Sequence, residues 1–382
     1  MTAYLRTRPA ATPAMLAVFS DEATLAHALA FERALAQAQA AEGVISAAAA
    51  EAIAQACRAF QFDVEGLGDE AALAGTLAIP VVARLRASLP AGEAAAALHR
   101  GATSQDVADT VMMLQAQRGA ALLQADASRI DVGLADLAMR HAQTPAIGRT
   151  LLQDALPISF GLRIAHWRAG IADAARRLQS DVTEHAALQL GGAAGTRAGM
   201  EGKGAAVAAR MAAALDLRDG PPWHGRRNGS AAIASSLGMF IGALAKMARD
   251  VSLLAQNAIG EAREPLTAGR GGSSAMAHKR NPTASQIALT AGVRAPGLVA
   301  GVLAGMAVEE ERGLGGWQAE GPALADLFLL AAGAAEAMAG VAEGLEVDDA
   351  AIARNLAAAG VGEDIGESAA ITAALLEQKR RD

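Results

Sequence analysis

Apolar residues along this chain recur at helical rather than alternating spacing. Val107, Val111 and Leu114 mark one stripe, and no proline interrupts residues 107–141. As one helix that stretch is about 52 Å long at ~1.5 Å per residue. Similar runs cover Ile158–Leu190, Gly229–Glu264, the residues after Pro282, and Pro322–Leu345. Gly191-Gly192 reads as a C-terminal cap, Pro265 as a stop and Pro282 as a first-turn proline. Earlier in the chain the pattern predicts helices near Asp21–Glu42, Ser46–Phe60 and Ala71–Leu89, before the break at Pro90-Ala91-Gly92. The expected organisation is an N-terminal helical domain (1–106), a central long-helix bundle (107–345) and a short, more polar C-terminal segment or domain (346–382). Long apolar helices of this kind cannot each bury a face in a compact monomer, so partner subunits are expected to complete the bundle.

Composition narrows the picture. The 382 residues are 52% hydrophobic yet only 3% aromatic, which suits close helix–helix packing rather than sheets. The longest apolar runs, Ala231–Ala245 and Ala295–Val308, are 15 and 14 residues, short of the roughly 18 that a bilayer span needs. The prolines and Ser20-Asp21-Glu22 near the start argue against a secretory signal. Cys57 is the one cysteine, so no internal disulfide and no zinc-type spacing is possible. A net charge of −7 without a basic stripe speaks against nucleic acid as a partner. The expectation is a cytoplasmic protein that binds neither membrane nor nucleic acid.

Three joints between the helices are rich in small polar residues: "HRGATSQD" (99–106), "GRTLLQDALP" (148–157) and "GRGGSSAMAHKRNP" (269–282). Thr103, Ser104, Thr150 and Gln153 offer hydroxyls and an amide suited to carboxylate oxygens, and the third joint adds Lys279 and Asn281. Together they suggest a site for a small molecule with several carboxylates. Each has a plainer reading. Thr103 and Ser104 read equally as helix caps, Thr150 and Gln153 as turn residues, and His278-Lys279-Arg280 as a solvated basic patch. "GRGGSS" lacks the spacing of a phosphate loop. His27, His141, His166 and His185 lie within helical runs and read as structural or surface residues.

Taken together, the joints resemble the three conserved blocks of the fumarase/aspartase superfamily, in order and on a long-helix background, from about Phe19 to Gly344. "GGSSAMAHKRNP" is similar to its signature Gly-Ser-Ser-x-Met-Pro-x-Lys-x-Asn-Pro, with Ala277 in place of the usual proline. The resemblance implies an all-α, three-domain fold. Its central five-helix bundle joins into a twenty-helix core in a homotetramer, and each active site is built by three subunits. Within the superfamily the chain is most similar to the bacterial 3-carboxy-cis,cis-muconate cycloisomerases, through "HRGATSQDVADT", "LQLGGAAGT" (188–196), "PPWHGRRN" (221–228) and "EEERGLGGWQAEGPAL" (309–324). It departs from them at Glu310, where histidine is usual, and at Gly225, where threonine is frequent.

The resemblance implies proton transfer at a carbon α to a carboxylate, with Ser273 and Lys279 as catalytic residues. It implies substrate contacts from His99, Thr103, Ser104, Thr150, Gln153, Ser274, Met276 and Asn281. Lys279 and Asn281 suit the charge of a transient aci-carboxylate, and the loop glycines suit a closing lid that activates the serine. Amine-eliminating relatives often carry histidine where this chain has Leu151. In lactonisation the adding group is the substrate's own carboxylate, a weak base with a pKa of about 4, so no acid is needed there. His99, His224 or His278 remain as other sources of an acid. The implied reaction closes 3-carboxy-cis,cis-muconate to 4-carboxymuconolactone in protocatechuate breakdown by the β-ketoadipate pathway. No metal, nucleotide or redox cofactor is implied. The rival readings are another superfamily lyase, of adenylosuccinate or argininosuccinate type, and a non-catalytic helical scaffold.

Overall fold

The computed structural model describes residues 4–273, 275–276 and 279–377. Beyond short helical turns, the N-terminal part comprises α1 (Asp21–Ala41), α2 (Ala47–Ala59), α3 (Val64–Ala74) and α4 (Ala78–Ser88). The long helices follow: α5 (Ser104–Arg140), α6 (Phe160–His185), α8 (Asn228–Leu254), α9 (Thr283–Ala304) and α10 (Gly316–Gly344), with the shorter α7 (Gly204–Leu215) between α6 and α8. Two small helices, α11 (Asp349–Ala359) and α12 (Ser368–Glu377), close the described chain. Side-chain oxygens of Ser20, Ser46, Asp63 and Ser159 accept from backbone N–H groups three residues on and start their helices.

The five long helices pack in the cycle α5–α6–α8–α9–α10, with α8 also touching α10. Phe240, Leu244, Met247, Leu327, Phe328 and Met338 are fully buried between them. At the α5–α10 crossing the backbones nearly touch. A Cβ on Gly133 would lie 2.6 Å from the Ala342 carbonyl oxygen, so only glycine fits. Helices α8, α9 and α10 are long and apolar enough to cross a membrane by length and composition. The bundle buries 72% of the apolar window of α10 and 56% of that of α8, but only 22% of that of α9. Val293 and Leu303 on α9 stay exposed.

Several expected boundaries move. Ala71–Leu89 is two helices, because Gly75 takes a left-handed φ of 72° and ends α3. Helix α6 stops at His185 rather than Leu190, since the following residues pair with Arg218: Leu188 N–H donates to the Arg218 carbonyl at 2.9 Å. Helix α8 stops at Leu254 rather than Glu264, and Ala262–Arg263 (β3) instead pair with Glu346–Val347 (β4). Helix α10 starts at Gly316, before Pro322, because Gln318 Oε1 accepts the Gly315 N–H at 2.9 Å. The joint after α5 is an antiparallel hairpin, β1 (Pro145–Thr150) with β2 (Gln153–Ser159), in a mostly helical chain.

Gly133→Val is expected to lower stability by about 2 kcal/mol through overpacking, measured by urea unfolding. Gly170→Ala, on the open side of α6 with nothing within 4 Å of the added carbon, is expected to gain rather than lose stability.

Candidate active site

The first polar joint sits at the start of α5. Thr103 is the N-cap residue, and its N–H donates to Asp106 Oδ2 at 2.9 Å. Asp106 is fully buried and accepts three further bonds: Gly191 N–H and Gly192 N–H, each at 2.9 Å, and His224 Nε2 at 2.7 Å. One carboxylate thereby draws two distant loops onto the helix end. One turn deeper, Gln189 Nε2 donates to Asp109 at 3.0 Å while its Oε1 accepts the Trp223 N–H at 2.8 Å. Arg227, 1% exposed, forks onto Asp109 at 2.8 and 2.9 Å and onto Glu320 at 2.9 and 2.6 Å. Its guanidinium also stacks 4.7 Å from the Trp223 ring centre. Burial works against the Arg227 charge, yet Asp109 and Glu320 outweigh it and raise the pKa.

His99 adopts a left-handed φ of 62° in the same joint, and its Nδ1 lies 2.6 Å from Oε1 of the buried Glu32. Burial lowers the imidazole pKa, but the Glu32 bond and charge, with Asp106 nearby, hold it above its usual value. The Thr103 hydroxyl accepts a hydrogen bond from Arg312, in the loop between α9 and α10.

The other two joints lie at the far end of the bundle. Thr150 and Gln153 face one another in the hairpin register, with Leu151 and Leu152 between them. Arg149 anchors this hairpin to the fully buried Glu261 through bonds of 3.1 and 2.6 Å. Glu261 also accepts from Asn355 at 2.8 Å. The third joint follows β3. Glu264 caps α9 through Ala284 N–H (2.9 Å) and Ser285 N–H (2.7 Å), and Arg280 is tied to Glu346 at 3.0 and 3.1 Å. Between these anchors the loop carries Ser273, Met276, Lys279 and Asn281. Ser273 Oγ accepts the Met276 N–H at 3.1 Å, a donor suited to an alkoxide at that oxygen. Asn281 closes the loop, donating from its N–H to Gly271 O at 2.8 Å and from Nδ2 to Gly272 O at 3.0 Å. A Cβ on Gly271 would lie 2.9 Å from the Asn281 carbonyl oxygen, and its φ is 77°, so this closure requires glycine. Met276, Lys279, Asn281, Gln256, Asn257 and Arg263 line a cavity of about 790 Å³. Ser274, Ala277 and His278 lie outside the described residues.

The predicted residues therefore fall into two groups. Thr150, Gln153, Ser273, Met276, Lys279 and Asn281 share one end, whereas His99, Thr103 and Ser104 stand at the other. Helix α5, 37 residues long, separates them, about 55 Å at ~1.5 Å per residue. Sequence reasoning did not single out Asp106, Arg227, Glu320, Glu32, Glu261 or Arg312. Their signal was charge inside apolar helical runs and, for Arg227 and Glu320, membership of "PPWHGRRN" and "WQAE". His224, weighed as an acid, is buried with Nε2 bonded to Asp106. Among the described residues no cluster of three or more His, Cys, Asp or Glu side chains could hold a metal.

A protein family described as lyase matches residues 7–297. The chain is 46% identical over 346 residues to the 3-carboxy-cis,cis-muconate cycloisomerase of Bradyrhizobium diazoefficiens, covering 90% of this chain and 77% of that protein. It is 38% identical to the nitrosuccinate lyase of Streptomyces davaonensis, covering 91% and 75%. The crystal structure of the 3-carboxy-cis,cis-muconate lactonizing enzyme from Pseudomonas putida superimposes with a TM-score of 0.86 at 37% identity, over 98% of this chain and 86% of that one.

Arg227→Ala leaves Asp109 and Glu320 buried without a counter-charge and is expected to destabilise by about 3–5 kcal/mol, read from denaturant unfolding. The raised His99 pKa means its charge stabilises fully below about pH 6.5. That contribution is lost as pH rises through the raised value. The decline in unfolding free energy on alkalinisation is expected to shrink in His99→Gln and in Glu32→Gln; an unchanged slope in both contradicts the pairing.

Proposed function

The chain belongs to the lyase family of the fumarase/aspartase superfamily, and from that premise we propose that it is a cycloisomerase converting 3-carboxy-cis,cis-muconate to 4-carboxymuconolactone. The observation that carries this reading is the loop at 269–282. It places a serine hydroxyl, an ammonium and an amide between rigid anchors, at the end of the bundle that also presents Thr150 and Gln153. Relatives with the cycloisomerase name share nearly half of the residues over nine-tenths of the chain.

In the proposed reaction one substrate carboxylate adds to the diene and forms the lactone C–O bond. Electron density moves into another carboxylate as the aci-form, where Lys279 and Asn281 receive the charge. Ser273 then delivers a proton to the α-carbon and regains one from the medium, so the net change is isomerisation with uptake of one proton. Thr103, Ser104, Thr150, Gln153 and His99, with Ser274 and Met276 beside Ser273, hold the carboxylates and the chain between them. Leu151 supports the assignment, because a carboxylate adds without needing an acid at that position.

The two-ended distribution of these residues supports an assembly in which one chain supplies the Thr103 end and other chains supply the hairpin and the serine loop. A homotetramer in the cytoplasm is proposed, with the uncovered apolar face of α9 at its centre. The division at 106 and 345 goes with it, since α5 begins and α10 ends within two residues of those boundaries.

The test is loss of diene absorbance on mixing the protein with 3-carboxy-cis,cis-muconate, beside adenylosuccinate, argininosuccinate and nitrosuccinate. Turnover of one of the other three with none of the muconate sinks the reading. Ser273→Ala is expected to lower kcat by about 10²–10⁴-fold with unfolding unchanged. Mixing inactive Ser273→Ala and Thr103→Val chains through dissociation and reassembly is expected to restore turnover; no recovery contradicts the shared site.

A further inference from the structure

Two imidazoles near the start of α5 meet buried carboxylates, and the two pairings differ in kind. Asp106, the partner of His224, also accepts from the N–H groups of Thr103, Gly191 and Gly192, so its charge is met without the imidazole. Glu32 has no such help. It lies within α1, with Oε1 2.6 Å from His99 Nδ1, while its Oε2 is buried and without a hydrogen-bond partner among the described residues. A buried carboxylate with a single partner needs that partner charged, because nothing else offsets its desolvation. The His99 side chain, by contrast, is 17% exposed, and its Nε2 has no partner among the described residues. Its left-handed φ of 62° is a conformation that persists where surrounding contacts over-determine it. Other charges around the ring are few. Asp106 on α5 favours the imidazolium and Arg86 on α4 opposes it. Arg86 is tied to the carbonyls of Ala95 and Leu98, and Arg100 to those of Val44 and Gly199 and to Glu201. Cys57 on α2 stays a thiol, since burial, and then Glu32, push its pKa up to about 12.

We propose that Glu32 is a positioning residue of the shared active site: it fixes the His99 ring and keeps it an imidazolium, so that the open Nε2–H donates to a substrate carboxylate. The inference rests on the cycloisomerase reading, which sets His99 among the carboxylate contacts, and adds the buried group that decides its charge. With Nδ1–H held by Glu32, a neutral ring would turn a lone pair at Nε2 toward the ligand and repel an anion. Only the protonated ring offers a donor there. Substrate carboxylates are ionised above about pH 4. Binding is therefore strongest between that pH and the raised His99 value, and it weakens as pH rises through the latter. Glu32 itself touches no substrate; it acts from behind the ring.

The test follows KM for 3-carboxy-cis,cis-muconate, and Kd for tricarballylate as a non-reacting tricarboxylate, on both sides of neutral pH. In the wild-type protein both are expected to rise about tenfold or more with pH, the scale of one charge-assisted hydrogen bond. Glu32→Gln keeps an acceptor for Nδ1–H but removes the charge. Its rise is expected to begin at least about one pH unit lower, with kcat changed less than KM. Glu32→Asp keeps the charge and is expected to hold the profile nearer to wild type. His99→Gln is expected to abolish the rise, and Glu32→Gln to add no shift in that background. A Glu32→Gln profile that coincides with wild type overturns the proposal. So does a loss of kcat with KM and its pH dependence intact, which makes the pair scaffolding only. If Glu32→Gln does not fold, His99→Gln decides: a wild-type profile in that variant overturns the proposal. Absence of carboxymuconate turnover by the wild-type protein instead refutes the cycloisomerase reading, and the tricarballylate measurement, which needs no turnover, tells the two failures apart.

Discussion

The length of α5 is the constraint from which the rest follows. Thr103 caps its first turn, and the hairpin bearing Thr150 and Gln153 begins five residues after its last. The bundle packs α5 against α6 and α10 along that length, so neither end can bend toward the other without opening the core. No side chain spans such a gap. A site using both ends, as proposed, would have to draw them from different copies, and the helix that separates the ends in one chain would then set their spacing between chains. The poorly covered apolar face of α9 has the character needed for that contact, because burying exposed apolar surface is the main drive for association.

Each end is held by buried charge. At the Thr103 end, Asp106 organises backbone N–H groups while Arg227 neutralises Asp109 and Glu320. At the hairpin end, Glu261 takes Arg149, with Arg163 3.5 Å away. Buried ion pairs of this kind are poor sources of net stability, because desolvation offsets the attraction. Their use here is geometric. Bidentate arginine contacts fix orientation as well as distance, and the loops that they fix carry little regular hydrogen bonding of their own. The segments "LQLGGAAGT", "PPWHGRRN" and "WQAE", which give the sequence its cycloisomerase-like character, meet in the first of these networks. They hold the helix end that carries Thr103 and Ser104, the residues proposed to meet substrate.

The long helices were legible because their apolar stripes repeat over many turns and because prolines and glycines punctuate them. Their ends were less so. Helix α6 stops early because Ala186 and Leu188 find partners beside Arg218, a contact that no local pattern announces. The hairpin escaped notice since Leu151-Leu152 lacks the Asn-Gly signal, and the sequences of β1 and β2, PAIGRT and QDALPIS, do not alternate cleanly between apolar and polar residues. Candidate site residues in the three joints stood out through their small polar composition. Their supports did not, because Arg227 pairs with residues 118 and 93 positions away. Only the fold brings them together. That all three joints exist was readable; that they lie at opposite ends of one chain was not, since spacing along a sequence does not fix direction in space.

The same division explains how a chain of net charge −7 suits a polyanionic substrate. At physiological salt, charges more than about 8 Å apart are largely screened, so the distant acidic surface matters less than the few groups at the site. The arginines that build the ends are neutralised internally: Arg227 faces two carboxylates, and Arg149 faces Glu261 and Asp154. They contribute shape without contributing field. Among the cations not engaged in this way are Lys279 on the serine loop, which is exposed, and Arg312 against the Thr103 hydroxyl. Both sit on loops, one at each end of the bundle. The proposed assembly, by joining the ends, would also join these two charges and so supply both hydrogen-bonding groups and positive charge for a substrate with three carboxylates.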